Sequence, residues 1–357
     1  MPRGSDPVLE QKLREKIQCE GSLTYEAFLD VILYDEERGY YREGKPLRKD
    51  YVTSPEVHPL FGTTIGKYIE KIQAACGRDR ITIIELGGGS GLLGSQILST
   101  RGQSDSLNYV IVEKGTKKET PGIRWISELD DLPPIEGFPV VIANEFFDAL
   151  PFHRVTRTDD ALEEIYIDFD DGFTERRGPL SPQAASFLGL YPLLLNVHQS
   201  SEVNTRTAEV AVQLSNALHE GVLLVFDYGY HSEDLALGRF FEGSVVGYKK
   251  FMMRTDVFRE LGSADITHHV NFDHLGGVLG KCGWAKSGEM EQYRFLIGAG
   301  ILEQMMMLPD SQRISAKALI DPEGLGSMIS VLGFTKNVSC DLPVFDRKEF
   351  CYQGGKI

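Results

Sequence analysis

IIELGGGSGLLG, residues 83–94, places five glycines in its last eight positions, directly behind an apolar run. A β-branched apolar run, a glycine turn and then SGLLGSQILST make the strand–turn–helix unit of a doubly wound α/β fold. Glycine at that density marks a backbone that takes left-handed conformations or lets another molecule approach closely. A triphosphate loop needs Lys followed by Ser or Thr after its glycines. Leu92 and Leu93 stand there and the next lysine is Lys114, so that reading fails. A dinucleotide fingerprint matches literally as Gly89-x-Gly91-x-x-Gly94, with Glu113 ending the next strand. The turn, however, already opens at Gly87, ahead of that match.

The wider pattern is Glu85-x-Gly87-x-Gly89-x-Gly91, the first motif of S-adenosylmethionine-dependent methyltransferases. That cofactor has no pyrophosphate, so no helix N-terminus need face a phosphate. It needs backbone close to its methionine and ribose parts, and it carries an ammonium and a sulfonium that welcome acidic groups. Glu85, Gly87, Gly89 and Gly91 are therefore expected to hold the cofactor, with Glu113 accepting the ribose hydroxyls.

Outward from this unit the alternation continues. LNYVIVEK and FPVVIANE read as the next buried strands, TAEVAVQLSNALHEG as a helix and VLLVFDYG as the fifth core strand. The expected fold is a Rossmann-like doubly wound methyltransferase sheet with an N-terminal helical section and a β-rich insertion. The expected divisions are an N-terminal helical section with a cofactor-covering loop (1–76), the first half of the core (77–150), a substrate-side insertion (151–205), the second half of the core (206–300) and a C-terminal extension (301–357). Within the first, helices are expected over 8–18, 24–34 and 60–76. The insertion follows from FHRVTRTDDALEEIYIDFDDG, which alternates apolar and polar residues where the core strands are apolar throughout. GWAKSGEMEQYRFLIGAG reads as a closing antiparallel hairpin, and Met305–Met307 as helix packing.

Composition narrows the class. The 357 residues are 42% hydrophobic and 25% charged, as in ordinary globular chains. A net charge of −15 argues against a general nucleic-acid or anionic-membrane binder, since both need a basic face. The five cysteines are scattered without a CxxC pair. That argues against a disulfide framework or a metal site and suits a reducing compartment. With a polar N-terminus and no apolar run long enough to span a membrane, the expectation is a soluble cytoplasmic protein without membrane insertion.

More specific blocks lie around the glycine turn. GYY at 39–41, DYVTSPEVHPLFG at 50–62, VVIANEFFDALPFHRV at 140–155, LLVFDYGY at 223–230 and DITHHVNFDHL at 265–275 together resemble the MidA-like methyltransferases. These blocks run in order over most of the chain. The family includes a mitochondrial complex I assembly factor that methylates an arginine of a complex I subunit. The resemblance implies S-adenosyl-L-methionine as cofactor and a protein substrate methylated on arginine, with a respiratory complex subunit as one candidate target. GSVVGYKKF (243–251) departs from the family pattern at Val246 and Phe251, and RKDY (48–51) replaces a glycine-rich approach to TSPE. The cofactor side therefore matches more fully than the substrate side.

Ligands of doubly wound sheets sit beyond the carboxyl ends of the strands. Glu145 and Asp148, three residues apart beyond the fourth strand, can grip a guanidinium bidentately, and Asn144 can offer an amide oxygen. His153 is a nearby proton acceptor whose place at the head of an alternating strand also suits a structural role. Thr53 and Ser54 are read as folding over the cofactor. Plainer roles compete: Asp148 as a cap, Glu145 on the cofactor's ammonium, Tyr228 as core beside Asp227. The string Asn144-Glu-Phe-Phe147 also resembles the signature of methylases of amide or base nitrogens, without its prolines. A small-molecule target and a non-catalytic cofactor-binding assembly factor complete the alternatives.

Overall fold

The computed structural model describes residues 6–41, 52–101, 107–115, 119–249 and 252–345. The RKDY segment, Phe251 and Cys351 lie outside the described residues. The N-terminal section runs α1 (Pro7–Glu20), β1 (Leu23–Thr24), α2 (Tyr25–Tyr34), the single turn α3 (Ser54–Val57) and α4 (Leu60–Ala75). The core opens with β2 (Ile81–Leu86), α5 (Leu92–Arg101), β3 (Leu107–Val112), β4 (Arg124–Ile126) and β5 (Phe138–Asn144). Then come β6 (His153–Arg157), β7 (Leu162–Phe169), β8 (Phe173–Gly178), α6 (Pro182–Leu190), β9 (Ser200–Val203), α7 (Arg206–Ala217), β10 (Gly221–Tyr230) and α8 (Ser232–Ala236). The last third holds β11 (Val246–Lys249), β12 (Met252–Arg254), β13 (Asp265–Thr267), β14 (Val270–Asn271), α9 (Phe272–Lys281), β15 (Ala285–Glu291) and α10 (Gln292–Ala299). It closes with α11 (Ile301–Met306), α12 (Asp310–Lys317), α13 (Leu325–Met328) and β16 (Ile329–Lys336).

The central sheet has the order β15-β16-β10-β5-β2-β3-β4, with β14 beside β10. From β10 to β4 the strands are parallel, and β15 and β16 are antiparallel. Parallel strands buried on both faces read as unbroken apolar runs, which is why ITIIEL and PVVIA were visible as strands. Side chains still alternate in destination. Ile83, Val140, Ile142 and Leu224 pack under α4, α5 and α10, whereas Ile84, Val141, Ala143 and Leu223 pack under α7 and α9. The doubly wound expectation therefore holds.

A second sheet is antiparallel, ordered β1-β7-β6-β9 with β8 on β7. Its apolar face (Ile165, Ile167) joins Leu9, Leu13, Phe28 and Leu29 of α1 and α2 in a third core. β11, β12 and β13 form a small third sheet. Both early helices begin where capping residues satisfy free amides: Asp6 accepts from Val8 and Thr24 from Ala27.

Three segments differ from their reading. The expected hairpin of 283–300 is half helix: β15 turns into α10 at Gln292, and its antiparallel partner is β16. The section from 301 onward thus supplies a strand inside the sheet, between β10 and β15. The turn-rich stretch after β8 holds α6, capped by Ser181. Finally, the expectation of no disulfide is corrected, because Cys76 is bonded to Cys340, 264 residues away, with Cα atoms 5.4 Å apart. Cys76 ends α4 and Cys340 follows β16, and only the folded sheet brings these ends together.

His153 is structural. It lies buried at the head of β6, Nδ1 2.7 Å from Glu164 and Nε2 in an ion pair with Glu26. Burial alone would lower its proton affinity, but the bonds to Glu164 and Glu26 outweigh it and raise the pKa to about 9. A folded-state pKa above the unfolded value of about 6.5 gives stability that is complete below that pH and is lost as pH rises through the folded pKa. Thermal unfolding is thus expected to show a stability decline between about pH 6.5 and about 9. His153→Gln, which carries no proton, should flatten it. Equal slopes in both proteins would mean that His153 enters the fold neutral.

Candidate active site

The chain runs outward from β2 through β3 to β4, then returns to place β5 on the other side of β2. Loops leaving β2 and β5 therefore diverge and leave a crevice at their carboxyl ends. A cavity of about 310 Å³ opens there, lined by Gly87 and Gly89, by Glu113, by Glu145 and Phe146, and by Tyr34, Tyr40 and Tyr41 from the N-terminal section.

The glycine loop has the geometry its spacing implied. Gly87, Gly89 and Gly91 take φ of 66°, 52° and 73°, a region that L side chains rarely adopt. At Gly87 a Cβ would also fall 2.8 Å from the Phe146 ring. Glu113 closes the loop from β3, accepting the Gly89 N–H at 2.9 Å and the Gly115 N–H at 2.7 Å. Glu85 differs from its expected place. It does not line the cavity but lies behind the turn, accepting a 2.7 Å bond from the Tyr109 hydroxyl, with burial raising its pKa to about 8. Gly91 likewise faces Trp125, away from the cavity lining.

Across the crevice, β5 ends at Asn144, and Glu145 turns the chain with a φ of 49°. Glu145 Oε1 accepts from the Ser54 N–H and from Asn144 Nδ2, each at 3.3 Å. Its pKa is pushed up to about 8 by burial, with the Asp227 charge adding to the rise. Asp148 is buried and is also raised, by burial first and then by repulsion from Asp227, Glu145 and Asp265. Asp148 Oδ1 and Asn144 Oδ1 are buried atoms with no hydrogen-bond partner among the described residues. Asp227, fully buried at the end of β10, is raised to about 7 by burial against the pull of surrounding backbone amides.

The structure thus brings Glu145, Asp148 and Asn144 together, with Glu145 in the cavity lining and Asp148 and Asn144 outside it. Thr53 and Ser54 are near but engaged differently. Thr53 caps α3, its N–H donating to Glu56 at 3.1 Å, and Ser54 Oγ donates to Gln292 at 2.9 Å. Ser54 reaches the site through its backbone, and neither side chain lines the cavity. Tyr228 packs against the core and stacks on His269.

Other residues were not assigned from sequence. Tyr41 lines the cavity and donates its hydroxyl to Asp265, at the head of β13. His268 donates its backbone N–H to the Asp148 carbonyl at 3.1 Å, and burial keeps its ring near a pKa of about 4. Arg206 also lines the cavity, paired with Asp30 at 2.7 Å and Glu209 at 3.1 Å. Both GYY and DITHHVNFDHL were prominent strings, but their meeting across 224 positions is a tertiary fact.

Comparison with known proteins agrees with this geometry. Residues 64–290 match the family model described as "Putative S-adenosyl-L-methionine-dependent methyltransferase". Relatives named "Protein arginine methyltransferase NDUFAF7, mitochondrial" include the Xenopus tropicalis protein, 26% identical over 80% of this chain and 74% of its own. The Homo sapiens protein is 26% identical over 85% of this chain and 76% of its own. The Drosophila melanogaster homolog is 28% identical over 92% and 85%. A crystal structure from Burkholderia thailandensis, bound to S-adenosyl-homocysteine, has the same fold, with a TM-score of 0.82 at 23% identity over 96% of this chain and 95% of that one. The expected cytoplasmic location is corrected by these relatives, which are named as mitochondrial. Among the described residues no helix is long and apolar enough to cross a membrane. Glycine loop, parallel sheet and a family match spanning most of the core lead to one conclusion: the chain belongs to the MidA-like S-adenosyl-L-methionine-dependent methyltransferases.

Proposed function

We propose that this methyltransferase acts on an arginine side chain of a protein, held by Glu145 and Asp148. The observation that carries the reading is the pair of buried acceptors, Asp148 Oδ1 and Asn144 Oδ1, that have no donor among the described residues. An unsatisfied buried acceptor costs stability unless a ligand completes it. A guanidinium offers a planar fork of five N–H donors and a fixed charge, which suits neighbouring carboxylates. Relatives named as arginine methyltransferases support the same substrate class, and the family resemblance adds a respiratory complex subunit as the target.

In this reading Gly87 and Gly89 let the cofactor lie against the backbone, and Glu113 receives its ribose. The cofactor supplies an electrophilic methyl group on a sulfonium. The chain's own residues orient and deprotonate the nucleophile. A guanidinium is delocalised and protonated, so its nitrogen must be fixed and its proton given an acceptor. Burial and repulsion from neighbouring carboxylates raise the proton affinity of both Glu145 and Asp148 in the free protein. A bound cation reverses that balance, drawing out the ionised form that accepts the proton.

Cofactor binding tests the first half. Gly89→Val puts a β-branched residue at a φ of 52° and is expected to abolish S-adenosylmethionine binding in calorimetry. Glu113→Ala should weaken it by about 10- to 150-fold, the worth of a hydrogen bond to a charged group. Unchanged affinity would place the ribose elsewhere.

Methyl transfer tests the second half. Glu145→Gln and Asp148→Asn are expected to lower transfer to arginine by about 10²- to 10⁴-fold at saturating cofactor. Asp171→Asn, exposed in the β7–β8 turn, serves as control. The kcat/KM of the parental protein, which reports the free enzyme, should rise with pH up to about 8 as Glu145 ionises. Labelled S-adenosylmethionine added to a lysate lacking this protein, followed by mass spectrometry, identifies the acceptor. Label on a glutamine or asparagine amide, or on a small molecule, would overturn the arginine assignment.

A further inference from the structure

β5 leaves the sheet at a defined point. Its pairing with β10 ends at Phe226 opposite Asn144, and the Glu145 N–H makes one more bond, 2.8 Å to the Phe226 carbonyl. The backbone then turns through the left-handed region at Glu145, where a non-glycine residue persists only if its surroundings over-determine it. The surroundings are supplied by one side chain. Asp227, the next residue of β10, projects a fully buried carboxylate under the turn. Its Oδ2 accepts the Phe147 N–H at 2.9 Å and its Oδ1 accepts its own neighbour's Tyr228 N–H at 2.9 Å, while the nearby Phe146 and Asp148 amides favour its charged form.

We propose that Asp227 is the positioning residue of this site: by tying the Phe147 amide of the turn to β10 through its carboxylate, it fixes where Glu145 and Asp148 present theirs. The inference rests on the acid pocket proposed above. The Phe147 amide would otherwise be a buried donor without an acceptor, since β5 no longer pairs there. A neutral amide side chain cannot replace the carboxylate, because it has one acceptor oxygen and turns an NH₂ toward donors. Asp227 also acts on the site as a buried charge. It acts on Glu145, Asp148 and Tyr228, and these in turn face Tyr248 on β11, Asp265 and His268 on and after β13, and Glu56 on α3. Its negative charge opposes ionisation of both Glu145 and Asp148.

The test is Asp227→Asn, read first by hydrogen–deuterium exchange, which needs no substrate. Amides 144–150 are expected to exchange about tenfold faster or more, while those of β10 from Val222 to Phe226 stay at the parental rate. With S-adenosylmethionine and the labelled acceptor, kcat should fall about 10²-fold while cofactor affinity stays unchanged. The acid limb of kcat/KM should move to lower pH, because a like charge has left the pocket. Parental exchange over 144–150, or an acid limb that does not move, would overturn the proposal. The exchange result stands or falls by itself, so failure of the arginine assignment is distinguishable from failure of this one. If Asp227→Asn does not fold, Asp227→Ser, which is smaller and uncharged, carries the same expected and contrary outcomes.

Discussion

The parallel pairing of β2 with β5, Leu86 opposite Ala143, is the contact on which everything functional in this molecule depends. It is non-local, formed only after the chain has built β3 and β4 on the far side and come back. Because the two strands are neighbours with connections running in opposite directions, their following loops cannot cover the same space. One loop is the glycine turn and the other carries Asn144 to Asp148. Neither would face the other if β5 had continued outward beside β4. The apolar alternation across the sheet fixes this pairing, since a one-residue slip would exchange the residues of the two buried faces.

Around that crevice the protein buries several carboxylates, and each is compensated differently. Glu85 takes the Tyr109 hydroxyl, Glu113 two backbone amides of the loop it closes, and Asp227 the Phe147 amide of the turn above it and the Tyr228 amide of its own strand. Asp148 Oδ1 has no donor among the described residues. Hydrogen-bonded carboxylates stiffen a structure, while an unsatisfied one stores unfavourable energy that a ligand can release.

The sequence made the glycine turn, the buried strands and the cluster at 144–148 readable because each is a local pattern. Glycine reports backbone conformation, and an apolar run reports burial on both faces. It pointed Glu85 at the cofactor, whereas one acidic residue ending a strand can point toward the ligand or behind it, and Tyr109 decides which. It argued against a disulfide because 264 residues separate Cys76 from Cys340 and no local pattern joins them. The helix at 292 was missed where Gln292 and Tyr293 interrupt no apolar period, and β16 because it lies beyond four short helical pieces. Tyr41 and Asp265 were in view as strings and invisible as neighbours. Apart from the local helices α6 and α10, the failures are partnerships between distant segments.

The position of β16 has a consequence for how the molecule comes into being. This strand lies between β10 and β15, so the apolar edge of β10, including Leu224 and Phe226, stays open until Lys336 is in place. A chain emerging from its N-terminus therefore presents an incomplete sheet for most of its synthesis, with a hydrophobic parallel half awaiting its last antiparallel member. Sheets that close on a late, long-range strand fold slowly and expose pairing edges to other chains meanwhile. Loss of the final segment would thus be felt in the central sheet, far along the chain from the missing residues.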